Sequence, residues 1–272
     1  MPELPEVETV KNTLKKLVLN KKINEVKVLY PNMIEFPSVE EFIKELQGKT
    51  ILDIKRRGKW LLFEFDNKYL ISHLRMEGKY FIHEHSEPIG KHDHVIFSFT
   101  DNELRYQDTR KFGRMYLIDK DKLEDSKPIC ALGLEPWDKA LTKEYLKGKY
   151  KHKKLPIKTV LLDQSIITGI GNIYADEILF LSKLDPLKPC YELNDTNLED
   201  IIKYTREVLE HAIKLGGTTI KSYESAKGVH GLFQNELLVH SNAGELCKSC
   251  GTEIIKIRVG GRGTYYCPTC QK

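Results

Sequence analysis

Residues 247–270 read CKSCGTEIIKIRVGGRGTYYCPTC. Cys247 and Cys250 are separated by two residues, as are Cys267 and Cys270, and 16 residues lie between the pairs. Each C-x-x-C turn aims two sulfurs at one point, and a hairpin between them brings the two points together. Four thiolates then make a tetrahedral site that suits zinc. A closed four-sulfur shell leaves no open coordination position, so the expected metal is one structural Zn2+ and not a catalytic one. Gly244, Gly251, Gly260, Gly261 and Gly263 supply the tight turns of such a ribbon. Arg262 stands between two of them, where bare backbone on both sides lets its guanidinium approach a phosphate closely. Read without its neighbours, it is a surface charge.

Upstream of the ribbon the pattern is helical. Residues 156–167 and 172–182 read as two helices separated by Thr168-Gly169-Ile170-Gly171. Thr196 with Glu199 has the spacing of a capping box, opening a helix through Leu198, Ile201, Ile202, Val208, Leu209, Ala212 and Ile213 that ends at Gly216-Gly217. The turn Gly169-Ile170-Gly171-Asn172 exposes backbone N–H groups at a positive helix end, a ready phosphate site, with Asn172 as its expected cap. Such a turn is also an ordinary helix connector. Seven lysines fall between Lys143 and Lys158 against one acid, Glu144. A run of this kind is a solvated face or hinge, or a set of phosphate contacts that displaces counterions from a polyanion. The net charge of +4 is too mild to decide between them.

The first 118 residues read differently. Val7, Val10, Leu14 and Leu17 line one face of an amphipathic helix over 3–18, with Pro5 in the first turn. Ser38 with Glu41 caps a short helix that Gly48 stops. Period-two segments follow one another at 22–30, 50–56, 60–65, 69–74, 79–83, 94–99, 103–107 and 114–118, which favours a sandwich or barrel. Residues 119–142, with Pro128, Gly133 and Pro136, read as a connector. The chain of 272 residues suits two or three modest domains. It holds no run of 18 apolar residues, and no basic start followed by an apolar stretch. Neither a membrane span nor a secretory leader is therefore expected, and the cytoplasm is the expected compartment. There the thiols stay reduced, and Cys130 and Cys190 are expected to be small apolar filler.

The chain starts Met-Pro-Glu-Leu-Pro-Glu-Val-Glu-Thr. An initiator methionine is normally trimmed before a small residue, which would leave Pro2 a free secondary amine at a positive helix end, where protonation is disfavoured. A generic α-amine is about one-fifth neutral at pH ~7.4, against roughly one part in a thousand for lysine. A secondary amine attacking an aldehyde-level carbon gives an iminium that must be cationic, an electron sink for elimination. Taken alone, Pro2 would merely start a helix.

In combination these blocks become specific. The opening 2–9 resembles that of the formamidopyrimidine-DNA glycosylases. So do Arg56-Arg57-Gly58-Lys59, His73-Leu74-Arg75-Met76-Glu77-Gly78, Lys91-His92-Asp93-His94 and Arg110-Lys111-Phe112-Gly113. So also do Gly169-Ile170-Gly171-Asn172-Ile173-Tyr174-Ala175 and Gly261-Arg262-Gly263-Thr264 before Cys267. The resemblance runs from residue 2 to residue 271. It implies an α+β multidomain fold: an N-terminal β-sandwich with flanking helices over 1–130, a connector over 131–150, a helix–two-turn–helix region over 151–235 and a C-terminal β-hairpin zinc ribbon over 236–272. It implies a bacterial, cytoplasmic, nucleoid-acting monomer whose partner is damaged double-stranded DNA. The implied activity is excision of oxidised purines and strand nicking by β,δ-elimination through a Pro2 Schiff base.

By the same resemblance, Pro2 attacks C1′, Glu3 is the general acid/base, Lys59 a proton donor or phosphate clamp, and Arg262 a phosphate ligand that serves the late elimination. His73, His92, Arg110, Lys154, Lys158 and Asn172 match DNA-contact positions. Met76, Arg110 and Phe112 match the side chains that fill the hole left by an everted base, with Arg110 also reading the orphaned cytosine. Read blindly, Met76 and Phe112 would be core residues, but their polar, glycine-marked loops argue for exposed tips. Thr109-Arg110-Lys111 departs from the usual Pro-Arg-Arg. Val239-His240-Ser241-Asn242 departs from Val-Tyr-Gly followed by Arg or Lys, which removes one cation near the ribbon. Residues 222–232, which in the family close over the everted base, belong to a variable loop.

Two rival readings remain. The related endonuclease VIII type prefers oxidised pyrimidines; Leu4 and the Met76/Arg110/Phe112 trio argue against it. A non-enzymatic zinc-ribbon DNA-binding protein would have no need of the intact catalytic positions.

Overall fold

A computed structural model describes residues 2–218 and 231–272. The chain divides into two compact units, the first ending at Cys130 and the second made of Ala131–Thr218 with Leu232–Lys272. Residues 222–230 of the variable loop lie outside the described residues.

In the first unit, α1 (Leu4–Val18) is followed by β1 (Glu25–Val28), β2 (Ile34–Phe36), α2 (Val39–Leu46), β3 (Asp53–Arg57), β4 (Trp60–Glu64), β5 (Lys68–His73), β6 (Lys79–His83), β7 (Asp93–Ser98), β8 (Glu103–Gln107) and β9 (Arg114–Asp119). The strands form a four-stranded sheet in the order β1-β7-β8-β6 and a five-stranded sheet in the order β2-β9-β5-β4-β3. One apolar core takes Val26, Val95, Phe97 and Leu104 from the first sheet and Ile54, Leu61, Phe63 and Leu117 from the second. The architecture is therefore a sandwich and not a barrel. The period-two reading holds at atomic level. Leu61 and Phe63 of β4 enter that core, while Trp60, on the other face, packs edge-on against His73 with ring centroids 4.5 Å apart. Val7, Val10, Leu14 and Val18 of α1 join the same core. Strand β2, paired in parallel with β9, was not expected, because three residues are too few to display a period.

The second unit carries α3 (Lys143–Tyr150), α4 (Ile157–Leu161), α5 (Asn172–Leu181), α6 (Asp195–Lys214) and a hairpin of β10 (Ile255–Val259) with β11 (Arg262–Tyr266). Three local expectations need correction. The helix expected over 156–167 stops at Leu161, because the Asp163 carboxylate accepts from the N–H of Ser165 at 3.0 Å and turns the chain. The α6 cap is Asn194 with Asn197, reciprocally bonded, and not Thr196 with Glu199; Asn194 is an equally good cap two residues earlier and wins. Residues 143–150, within the expected connector, form α3. Its Lys143 and Lys147 pair with Glu199 and Asp195 of α6 at 2.6 and 2.8 Å, so part of the lysine run is a paired helix face. Cys190 is buried as expected, but Cys130 is exposed and fills no core. No helix among the described residues is long and apolar enough to cross a membrane.

Candidate functional site

In the first unit the candidate residues stand at the start of α1, in the turn between β3 and β4, at the end of β5, and in the loops that follow β5, precede β7 and follow β8. Pro2 is half-buried and stands directly ahead of Glu3, the N-cap of α1. Glu3 is 3% exposed, and its N–H donates to Glu6 Oε2 at 2.8 Å in a capping box. This reciprocal bonding fixes the first turn and therefore the direction in which the chain start points. Glu8, one turn on, accepts from Arg56 Nε at 2.9 Å and from Lys11. Burial pushes its carboxyl upward, but these two cations outweigh burial and hold it below the ordinary range. Arg56 in turn donates to the Gly58 carbonyl at 2.9 Å. The helix start is thereby tied to the two-residue Gly58-Lys59 turn between β3 and β4, where Gly58 takes φ +56°. Glu8 and Arg56 sit in the quoted motifs without having been given a role. Their function as a tether depends on a contact across 48 residues that no local pattern announces.

Lys59 is 6% exposed. Its charge is felt by His73, whose pKa is pushed down to about 3, first by burial and then by Arg75 and Lys59. His73 is therefore neutral. Its Nδ1 accepts from the Arg75 N–H at 2.8 Å, so the ring proton sits on Nε2 and makes that atom a hydrogen-bond donor. Beyond His73 the 74–78 loop presents Met76, 38% exposed, and the 108–113 loop presents Arg110 and Phe112, the latter 46% exposed. The Arg110 guanidinium lies 4.7 Å from the Phe112 ring centroid. These tips are exposed, as their sequence setting implied. His92 is half-buried, and its Nδ1 has no hydrogen-bond partner among the described residues.

In the second unit, Gly171 and not Asn172 caps α5. The Asn172 amide is instead committed to the ribbon, donating to the Gly263 carbonyl at 2.9 Å. Val259 pairs with Arg262 across a Gly260-Gly261 turn in which both residues take positive φ, +54° and +79°. Any side chain there would be strained, and a Cβ on Gly260 would sit 2.6 Å from Thr159 Oγ1. The turn therefore lies against α4 and presents Arg262 at its exit, exposed. Lys154 is also exposed.

Lys158, expected at a DNA contact, is placed inside the fold. Its side chain is 0% exposed and is ion-paired with Asp176, itself fully buried, at 2.5 Å. It also donates to the Asn172 carbonyl at 2.8 Å. The second Asp176 oxygen lies 2.6 Å from His240 Nδ1, so the histidine that departs from the family pattern is bound into this buried network. Its backbone N–H donates to Glu177. Lys158 holds the start of α5 from inside. Lys158→Met should lower stability by about 3 kcal/mol, because it strands the Asp176 charge. Phosphate contacts dominate the salt dependence of DNA affinity, so the slope of log affinity against log salt should stay at its wild-type value; a slope reduced by about one would restore the phosphate contact. Denaturant unfolding and a salt titration of binding read the two effects.

The four ribbon sulfurs lie within 4.8 Å of one another. Cys247 and Cys270 Sγ are 3.9 Å apart, and Cys250 and Cys267 Sγ 3.4 Å. A regular tetrahedron of ~2.3 Å Zn–S bonds has edges of about 3.8 Å, so the cluster fits one zinc ion with all four positions filled by protein.

Residues 1–115 match the formamidopyrimidine-DNA glycosylase N-terminal domain, residues 132–224 its H2TH domain, and residues 244–272 the zinc finger found in FPG and IleRS. A formamidopyrimidine-DNA glycosylase of Oceanobacillus iheyensis is 50% identical, with 100% of this chain and 98% of that relative covered. One of Cytobacillus firmus is 47% identical over 100% of both. A Lactococcus lactis FPG mutant solved in complex with Fapy-dG containing DNA has a TM-score of 0.94 at 43% identity, over 100% of both chains. The Lactococcus lactis Fpg solved with abasic-site DNA gives 0.93 at the same identity and coverage. From its N-terminal domain to its zinc ribbon, the chain belongs to the formamidopyrimidine-DNA glycosylase family.

Proposed function

We propose that this chain is a base-excision-repair DNA glycosylase with abasic-site lyase activity that removes oxidised purines, 8-oxoguanine and formamidopyrimidines, from duplex DNA. Family membership over the full chain supports the activity. The observation that carries the mechanism is the placement of Pro2 directly ahead of the α1 cap, accessible and at the positive end of the helix.

The steps follow from the groups present. The Pro2 nitrogen bonds to C1′ as the bond from C1′ to the base breaks, and the base leaves with a proton. Ring opening gives a cationic iminium. Loss of the C2′ proton expels the 3′ phosphate, and a second elimination expels the 5′ phosphate. Glu3 moves the protons. Lys59 and the Nε2–H of His73 supply donors where the sugar and its phosphate would lie. His92, Lys154, Asn172 and Arg262 grip the backbone, and Met76, Arg110 and Phe112 fill the hole. Zinc supplies only the rigidity of the ribbon that presents Arg262. In this reading the domain boundaries are 1–130, 131–150, 151–235 and 236–272, and the enzyme works as a cytoplasmic monomer on the nucleoid.

A panel of duplexes tests the substrate class. Cutting of 8-oxoguanine opposite cytosine should exceed cutting of thymine glycol by about tenfold or more, the scale on which a pocket's contacts discriminate. Faster cutting of thymine glycol would overturn the purine assignment.

A further inference from the structure

Strand β5 belongs to the five-stranded sheet and β6 to the four-stranded one, while β8 and β9 belong to them in the reverse order. His73 pairs with Arg114, and Lys79 with Gln107. The 74–78 and 108–113 loops therefore cross the same end of the sandwich side by side, in opposite directions. They are fastened to each other. The Tyr106 hydroxyl, wholly buried, lies between them: a Cβ on Gly78 would come within 2.1 Å of it, and one on Gly113 within 1.8 Å. Thr109 donates to the Glu77 carboxylate. Arg75 and Lys111, one in each loop, hold φ of +53° and +57°, conformations that cost a non-glycine residue energy and persist only where surroundings impose them.

In the 108–113 loop, Asp108 supplies much of that imposition. It is 1% exposed. Its Oδ1 accepts from the Arg110 N–H at 2.9 Å, and its Oδ2 from the Phe112 and Gly113 N–H groups at 2.9 and 2.8 Å. Its own carbonyl accepts from His94 Nε2 at 2.8 Å. Three backbone donors thus converge on one acceptor-only carboxylate, and two of them are the amides of the residues that present the Arg110 and Phe112 side chains.

We propose that Asp108 is the positioning residue for reading the base opposite the lesion, setting the Arg110 guanidinium so that cytosine is accepted and adenine refused. This rests on the functional reading above. A guanidinium carries donors only. Cytosine's unpaired edge offers two adjacent acceptors, O2 and N3, which a planar fork can meet together. Adenine offers one acceptor beside an amino donor that faces the fork donor to donor. Such a match is lost when the fork shifts by a fraction of an ångström. The substitution Asp108→Asn would keep one oxygen for Phe112 and Gly113 and turn its amide hydrogens against the Arg110 N–H, freeing Arg110 first.

Single-turnover excision of 8-oxoguanine opposite cytosine and opposite adenine, with abasic-site cleavage alongside, tests the proposal. Asp108→Asn should lower the cytosine-to-adenine ratio by about tenfold, the scale of one bidentate base contact, and lower it further than it lowers abasic-site cleavage. Arg110→Ala sets the floor of the ratio, and the double variant should fall no lower, because both changes remove one interaction. Gly113→Ala keeps the Asp108 carboxylate but displaces, through Tyr106, a backbone N–H that it holds, and should lower the ratio too; it decides the matter should Asp108→Asn not fold. An unchanged ratio in the folded variants, or losses that multiply in the double variant, overturns the proposal. A wild-type chain inactive on both duplexes overturns the functional reading and this inference together.

Discussion

Pro2→Gly should lower strand cutting at a preformed abasic site by about two to four orders of magnitude, the range over which a positioned reacting group contributes. The substitution leaves an amine at the same place, so the loss measures what the ring does. A primary amine forms an imine that can shed its proton and become neutral. Proline's iminium has no proton on nitrogen to lose and stays an electron sink until elimination is complete. The ring also fixes φ and with it the direction of the lone pair, ahead of a helix start that Glu3, Glu6, Glu8 and Arg56 hold rigid. Borohydride reduction during turnover should leave the wild-type chain covalently attached to DNA, with the linked peptide mapping to residue 2. Full lyase activity in Pro2→Gly would show that the ring contributes nothing, and a linked peptide elsewhere in a fully active chain would exclude proline as the nucleophile.

Cys267→Ser should lose zinc and DNA affinity together, from one metal per chain to none and by about a hundredfold or more in affinity. Cys267 is wholly buried in a small core with Phe180, Val239, Cys247 and Ile254. Two five-residue strands cannot stand alone in water, so the metal and this core together hold the hairpin. Without them the Gly260-Gly261 turn releases Arg262, and the bond from Asn172 to Gly263 goes with it. Metal analysis beside a binding titration reads both losses. Undiminished binding by zinc-free protein would show that the ribbon grips nothing.

The legibility of this chain is uneven, for physical reasons. Features carried by covalent spacing or local periodicity are plain. The two C-x-x-C pairs predict the sulfur cluster, period-two runs predict eight of the nine strands in the first unit, and the glycine pair predicts the β10–β11 turn. Where two local solutions are nearly equal in energy, pattern alone favours the wrong one: Asn194 caps α6 instead of Thr196, and Gly171 caps α5 instead of Asn172. Both members of each pair are competent caps, and packing elsewhere decides which is used.

Lys158 shows the deeper limit. A lysine within a run of lysines reads as a surface cation, and nothing near it in sequence announces Asp176, 18 residues on, which takes it into the interior. Asp108 is the same case seen from the other side. Aspartate commonly accepts backbone N–H groups just downstream, but the sequence does not mark this one out, because the loop that it clamps is held in place where Tyr106, Gly78 and Gly113 meet at one end of the sandwich.

By itself, the sequence determined the family, the three kinds of structure along the chain and the metal site, because each is written in adjacent residues or fixed spacings. Only the tertiary structure decided which charges face solvent and which are consumed inside, and which residues hold the reacting groups still. Those outcomes depend on burial and on partners tens of residues away, and one-dimensional order carries no record of the distance between such groups in space.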